Sequence, residues 1–166
     1  MSENSFKFAV LTISDAGSKG EREDSSGDVI VELMTEAGFS QVRRTIVPDE
    51  VDQISARLSE WCDSADADVV VTTGGTGLGP RDVTPEATRE VIDIEAPGIA
   101  EAMRMETLKN TPFAMLSRGV VGVRNGCLIV NLPGSPTGVR ETLEVALTSI
   151  PHALEMIRGW RTHADP

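Results

Sequence analysis

One stretch of the sequence leaves the chain little freedom. Asp68 to Thr73, with three consecutive valines and two threonines, runs directly into Gly74-Gly75-Thr76-Gly77-Leu78-Gly79-Pro80. Successive β-branched residues favour a strand buried on both faces, and the glycines and proline stop that strand at once in a tight turn. A buried strand that empties into a glycine-rich turn is the unit from which parallel sheets with helical crossovers are built.

The flanking sequence repeats the unit. Phe6 to Ser14 is an apolar run too continuous for one-sided alternation and predicts a second buried strand. Asp15 to Gly27 reads as a polar loop, and from Asp28 the spacing of Ile30, Leu33, Met34 and Ala37 predicts a helix ended by Gly38. Val42 to Val47 predicts a strand closed by Pro48, followed by a helix with Val51, Ile54, Leu58 and Trp61 on one face. Helices are expected to open at Thr84-Pro85-Glu86 and after Pro97-Gly98, where proline suits a first turn. Val120 to Arg124 and Cys127 to Leu132 flank Asn125-Gly126, a strong hairpin signal. After Pro133-Gly134-Ser135-Pro136 comes a helix with Val139, Leu143, Ala146, Leu147 and Ile150 on its apolar stripe, which Pro151 is expected to break or kink. The expected fold is α/β, three layers α/β/α, with a mostly parallel sheet and an antiparallel hairpin near residues 120–132. With 166 residues, no internal repeat and no low-complexity linker, residues 1–166 are expected to form a single domain.

A net charge of -11 argues against nucleic acid as partner, since neutralising a phosphate backbone needs clustered Lys and Arg. If phosphates are handled, backbone N–H groups, a few arginines and a divalent metal must meet their charge. The two cysteines, Cys62 and Cys127, lack zinc-site spacing and read as core residues. Met1 to Ser5 are polar, so no signal peptide, no membrane span and a cytoplasmic location are expected.

Ligands of parallel sheets bind outside the carboxyl ends of the strands. Three loops there carry chemistry: Ser14-Asp15, Pro48-Asp49-Glu50, and the glycine turn running on to Arg81-Asp82-Val83-Thr84. Glycines at 74, 75, 77 and 79 permit close anion approach, but the turn matches neither a Walker A motif nor the Gly-x-Gly-x-x-Gly fingerprint. A tight strand-to-helix turn remains the plain alternative. Arg81 can pair with a phosphate oxygen, and Asp82 offers a hard oxygen to Mg2+. Thr84 and Asp49 can also be read as helix caps. Ser135 stands at a helix N-terminus able to receive an anion, or belongs only to a stiff turn. His152 and His163 lie away from these loops, Trp61 reads as core and Trp160 as terminal packing.

Taken together, Thr72-Thr73-Gly74-Gly75-Thr76-Gly77, Arg81-Asp82-Val83-Thr84-Pro85-Glu86-Ala87 and Leu132-Pro133-Gly134-Ser135-Pro136 resemble the molybdopterin adenylyltransferase family of molybdenum-cofactor biosynthesis, which includes the gephyrin G domain. Ile13-Ser14-Asp15 and Val47-Pro48-Asp49-Glu50 fall in the same order, so the resemblance spans nearly the whole chain. It implies transfer of AMP from ATP to the molybdopterin phosphate with release of pyrophosphate, assisted by Mg2+. It also implies a homotrimer or hexamer, and hand-over of product to a molybdate-inserting enzyme. Asp49 and Asp82 match the aspartates of catalysis and metal handling, and Gly74, Gly75, Thr76 and Gly77 match the phosphate loop. Ser14, Asp15, Gly134 and Ser135, with Arg81 and Thr84, would hold pterin or nucleotide. The sequence departs from several relatives at Thr137, where they carry lysine, and Arg140 one turn on offers a substitute cation. A noncatalytic molybdopterin carrier or scaffold and a nucleotide pyrophosphatase of similar fold are the alternatives.

Overall fold

The computed structural model describes residues 5–159. Met1 to Asn4, Trp160 and His163, which bear some of the expectations above, lie outside the described residues. The chain runs β1 (Lys7–Ile13), α1 (Asp15–Ser18), α2 (Ser25–Glu36), β2 (Ser40–Val47), α3 (Val51–Asp63), β3 (Val69–Thr73) and α4 (Thr84–Val91). Then follow β4 (Ile94–Glu95), α5 (Pro97–Thr107), a 3-10 turn (Pro112–Leu116), β5 (Val121–Arg124), β6 (Cys127–Leu132), α6 (Pro136–Leu147) and α7 (Ile150–Ile157).

The six strands form one sheet in the order β2-β1-β3-β6-β5-β4. β2, β1, β3 and β6 are parallel, and β5 turns back antiparallel to both β6 and β4. The continuous apolar runs are explained by burial on both faces. Phe8 and Val10 of β1, Val69 and Val71 of β3, and Leu128 and Val130 of β6 pack under α2, α5, α6 and α7. Their neighbours Ala9, Leu11, Val70 and Ile129 pack under α3 and α4. The α3 stripe behaves as its spacing predicts: Ile54 and Leu58 are fully buried, each contributing about 1.5–3 kcal/mol. Cys62 and Cys127 are reduced core residues and Trp61 is buried beside them.

The hairpin forms where expected, with Asn125 at φ 46° and Gly126 at φ 78°, the paired positive values of a type I′ turn. Gly38, at φ 93°, ends α2 as predicted: its N–H reaches Thr35 O and that of Phe39 reaches Met34 O, a Schellman closure.

Three boundaries differ from the sequence reading. The helix expected at Asp28 begins at Ser25, because Asp24 caps it by accepting the Gly27 N–H at 3.1 Å. The supposed loop after β1 contains α1, capped by Ser14, whose hydroxyl accepts from Gly17 N at 3.0 Å. Pro151 does not bend one long helix; α6 ends at Leu147 and the proline sits in the first turn of α7. The two-residue β4 and the 3-10 turn were not anticipated, being too short to carry a period.

Candidate functional site

In the strand order, β1 lies between β2 and β3, so the chain reverses its direction of travel across the sheet there. Outside the carboxyl ends of β1 and β3, where open α/β sheets bind ligands, lies a cavity of about 240 Å3. Ser14 leaves β1 into it, Gly74 and Gly75 leave β3, Asp49 follows β2, and Asp82 and Gly134 come from the two later loops. Arg22 to Asp24, ahead of α2, and Ser25 and Ser26 in its first turn complete the wall. A larger hollow of about 470 Å3 between α5 and the end of α6 is lined by residues such as Ile99, Ala102 and Val145 and carries no ionisable group. The chemistry belongs to the smaller one.

The glycines are demanded by geometry at two positions. Gly74 has φ 99° and a Cβ there would collide with the Ile13 carbonyl oxygen; Gly75 has φ 70° and a Cβ would collide with the Thr84 hydroxyl. That close seating draws β3, β1 and α4 together.

The hydrogen bonds of this loop are one-sided. Its carbonyls are taken by the protein: Gly74 O by the Thr84 hydroxyl at 2.9 Å, Gly75 O by Thr84 N at 3.1 Å and Thr76 O by Arg118 N at 2.8 Å. Gly77 O and Asp82 O are taken by the Arg118 guanidinium, both at 2.8 Å, and Gly79 O by Asp82 N at 3.0 Å. The N–H groups of Gly75, Thr76, Gly77 and Leu78 meet no acceptor among the described residues. A segment with most of its acceptors consumed and four successive donors spare is suited to an anion.

Asp49 does not cap α3, whose N-cap is Glu50 without a side-chain bond. Instead Asp15 and Asp49 clasp each other: Asp15 N donates to Asp49 Oδ2 at 2.8 Å, and Asp49 N donates to Asp15 Oδ1 at 3.0 Å. Arg81 forks onto both oxygens of Asp15 at 3.1 Å and reaches Glu50 at 2.8 Å. Its guanidinium, expected to face phosphate, is thus engaged by carboxylates that push its pKa up. The same contact, with the Asp49 N–H, holds Asp15 below the usual carboxylate range. Asp49 is pushed the other way, first by burial and then by the charges of Asp15 and Asp82, against the opposing N–H of Asp15.

Asp82 accepts the Gly79 N–H at 2.9 Å with one oxygen and so folds its own loop. Asp49 and Asp82 together supply two carboxylates to one wall, and no group of three or more Asp, Glu, His or Cys side chains among the described residues is arranged to hold a metal ion. Thr84 is fully buried and lies inside α4, whose N-cap is Val83. The cap reading therefore fails; its hydroxyl fastens the helix to the loop. Ser135 is the cap of α6, accepting from Gly138 N at 3.0 Å, with its hydroxyl proton left to donate. Arg140 pairs with Glu32 at 3.1 Å and does not line the cavity, so it is no substitute cation there. His152 sits on α7 beside Glu155, on a helix that lines none of the cavity.

Sequence reasoning missed Arg22, the one cation of the cavity wall among the described residues, and the start of α2. The Asp24-Ser25-Ser26-Gly27 run carried a cap signal that an apolar period starting at Ile30 concealed. It also missed Arg118, for which no local pattern gives a sign.

A family model described as the probable molybdopterin binding domain matches residues 9–152. The chain is 47% identical to the molybdopterin adenylyltransferase of Helicobacter pylori J99, over 92% of this chain and 88% of that one. It is 36% identical to the molybdopterin adenylyltransferase of Escherichia coli K12, over 94% and 87%. The crystal structure of the molybdopterin biosynthesis enzyme MoaB from Thermus thermophilus superposes with a TM-score of 0.88 at 50% identity, covering 93% of this chain and 97% of that one.

Proposed function

The chain belongs to the molybdopterin-binding domain family, and from that membership we propose that it is a molybdopterin adenylyltransferase acting as one domain. The observation that carries the reading is the meeting, in one cavity at the sheet's reversal point, of the Gly74-Gly75 turn with Asp49 and Asp82. The reaction joins a phosphate oxygen of molybdopterin to the α-phosphorus of ATP and breaks that phosphorus's bond to the bridging oxygen, so pyrophosphate leaves.

Such a transfer needs alignment and charge neutralisation more than proton chemistry, since the attacking phosphate is already ionised. The spare N–H groups from Gly75 to Leu78 hold phosphate oxygens, and Ser135 adds a hydroxyl donor at the head of α6. Asp49 and Asp82 would hold Mg2+. Two carboxylates suit it, because Mg2+ commonly takes one or two carboxylates and completes its shell with substrate phosphate and water. Burial, and after it the charges of Asp15 and Asp82, lift the Asp49 pKa, and a cation beside Asp49 would offset both. Bound Mg2+ would neutralise the polyphosphate charge. Asp15 and Arg81 then act chiefly by fixing Asp49, and Thr84 by fixing the loop.

A homo-oligomer, with the trimer as the form expected, would cover the exposed apolar side chains that lie between Met105 and Leu116. Met105, Phe113 and Met115 are each about two-thirds or more exposed, at 68%, 74% and 66%. No helix among the described residues is long and apolar enough to cross a membrane. Reduced Cys62 and Cys127 fit the cytoplasm, where the product would pass to a molybdate-inserting enzyme. The deciding experiment supplies purified protein with molybdopterin, ATP and Mg2+. Pyrophosphate and adenylyl-molybdopterin should form in equal amounts; absence of both would overturn the assignment.

A further inference from the structure

Arg118 lies outside the cavity wall and on no regular element, in the short connection between the 3-10 turn and β5. Its contacts are nevertheless concentrated on the glycine loop. The backbone N–H takes Thr76 O, Nε takes Gly77 O and Nη2 takes Asp82 O, each at 2.8 Å, while Nη1 pairs with Glu86. Three of the loop's carbonyls are thereby turned toward one residue. The connection is itself anchored: Arg104 of α5 donates to Gly119 O at 2.9 Å, and Asn131 accepts Val120 N at 3.1 Å.

A peptide group whose C=O is fixed has its N–H on the opposite side fixed as well. Holding the carbonyls of Thr76 and Gly77 therefore also orients the N–H groups of Gly77 and Leu78, two of the four spare donors. The guanidinium is also a permanent positive charge behind a loop in a chain of net charge -11. Geometry and charge act in the same sense.

From these contacts we infer that Arg118 is the positioning residue of the phosphate loop: without touching ligand, it sets the loop's donors for a polyphosphate and opposes the repulsion of the surrounding carboxylates. The inference rests on the proposed nucleotide site, and its test does not require turnover. Binding of inorganic tripolyphosphate to the full chain is measured by calorimetry for wild type, Arg118→Ala, Arg118→Lys and the surface control Arg89→Ala, beside molybdopterin binding.

Arg118→Ala should weaken tripolyphosphate about ten-fold or more, as expected when charge-assisted hydrogen bonds are lost, with molybdopterin affinity held within about two-fold. Methylguanidinium should restore part of the affinity in that variant alone. Arg118→Lys keeps the charge without the fork and should show a smaller loss, and it decides the matter if Arg118→Ala does not fold. Undiminished tripolyphosphate binding in Arg118→Lys and Arg118→Ala, a loss that methylguanidinium leaves untouched, or a wild type that binds no tripolyphosphate would each overturn the inference. A wild type that binds tripolyphosphate with Arg118 dependence, yet makes no adenylyl-molybdopterin, would remove the catalytic reading and leave the role of Arg118 standing.

Discussion

Gly75→Ala probes how the phosphate loop is seated, and its cost can be worked from two independent terms. The left-handed φ of 70° costs an alanine about 1–2 kcal/mol. The new Cβ also falls on the Thr84 hydroxyl, whose displacement breaks a buried bond to Gly74 O, worth about 1–3 kcal/mol when an acceptor is left unmet. The sum is about 2–5 kcal/mol, or a fall in melting midpoint of roughly 4–20 °C for a chain of this size. Thr84→Ala alone removes the same bond, at about 1–3 kcal/mol. In the double variant the collision is gone and the bond cannot be lost twice, so the two costs should fall short of additive by about 1–3 kcal/mol. Gly74→Ala is the contrasting case. Its Cβ meets the Ile13 backbone carbonyl, which no side-chain change can relieve, so pairing it with Thr84→Ala should recover less. Urea titrations of the single and double variants, read at constant m-value, test the scheme. Strict additivity of Gly75→Ala with Thr84→Ala would refute the reasoning.

The pKa of Asp49 is raised in the folded chain by burial and neighbouring carboxylates, so stability is lost as pH rises through the raised value. Asp49→Asn should therefore melt above wild type at neutral pH, with the difference fading below the ordinary carboxylate range. Its adenylyl transfer should be lost; calorimetric scans at both pH values check the first claim, and a neutral-pH difference that persists in acid would contradict it. Asp82→Asn keeps an oxygen for the Gly79 N–H and should fold normally, with strongly reduced pyrophosphate release and molybdopterin binding largely retained. Unchanged turnover would remove Asp82 from the site. Phe113→Glu places a charge on the exposed apolar run and should shift the chain toward monomer by light scattering; an unaltered mass would place the assembly surface elsewhere.

The parts of the fold legible in the sequence were those whose cause is local. A valine run buried on both faces, the Asn125-Gly126 turn and the Gly38 terminator each express a backbone preference within a few residues, and each stands where expected. Boundaries went wrong where two local signals competed. At α2 the apolar period begins at Ile30, yet the helix starts at Ser25 because Asp24 satisfies its first free N–H groups. Asp24 also accepts the Thr12 hydroxyl at 2.9 Å and pairs with Arg44 at 3.0 Å, partners that only the folded sheet brings near.

The site divides in the same way. The glycines and the two aspartates were visible because their chemistry is carried by residue type. Arg81 and Thr84 were visible as residues but their partners were not, since those depend on which acceptor the fold presents: Asp15 and Glu50 to the one, the Gly74 carbonyl to the other. Arg118 stands 41 residues from Gly77 along the chain, so no window of sequence holds both ends of its bond. A loop's donors can be anticipated from its glycines, but whether they are spare depends on who has taken the carbonyls. That is decided by tertiary contacts, and it separates a phosphate loop from a tight turn of the same composition.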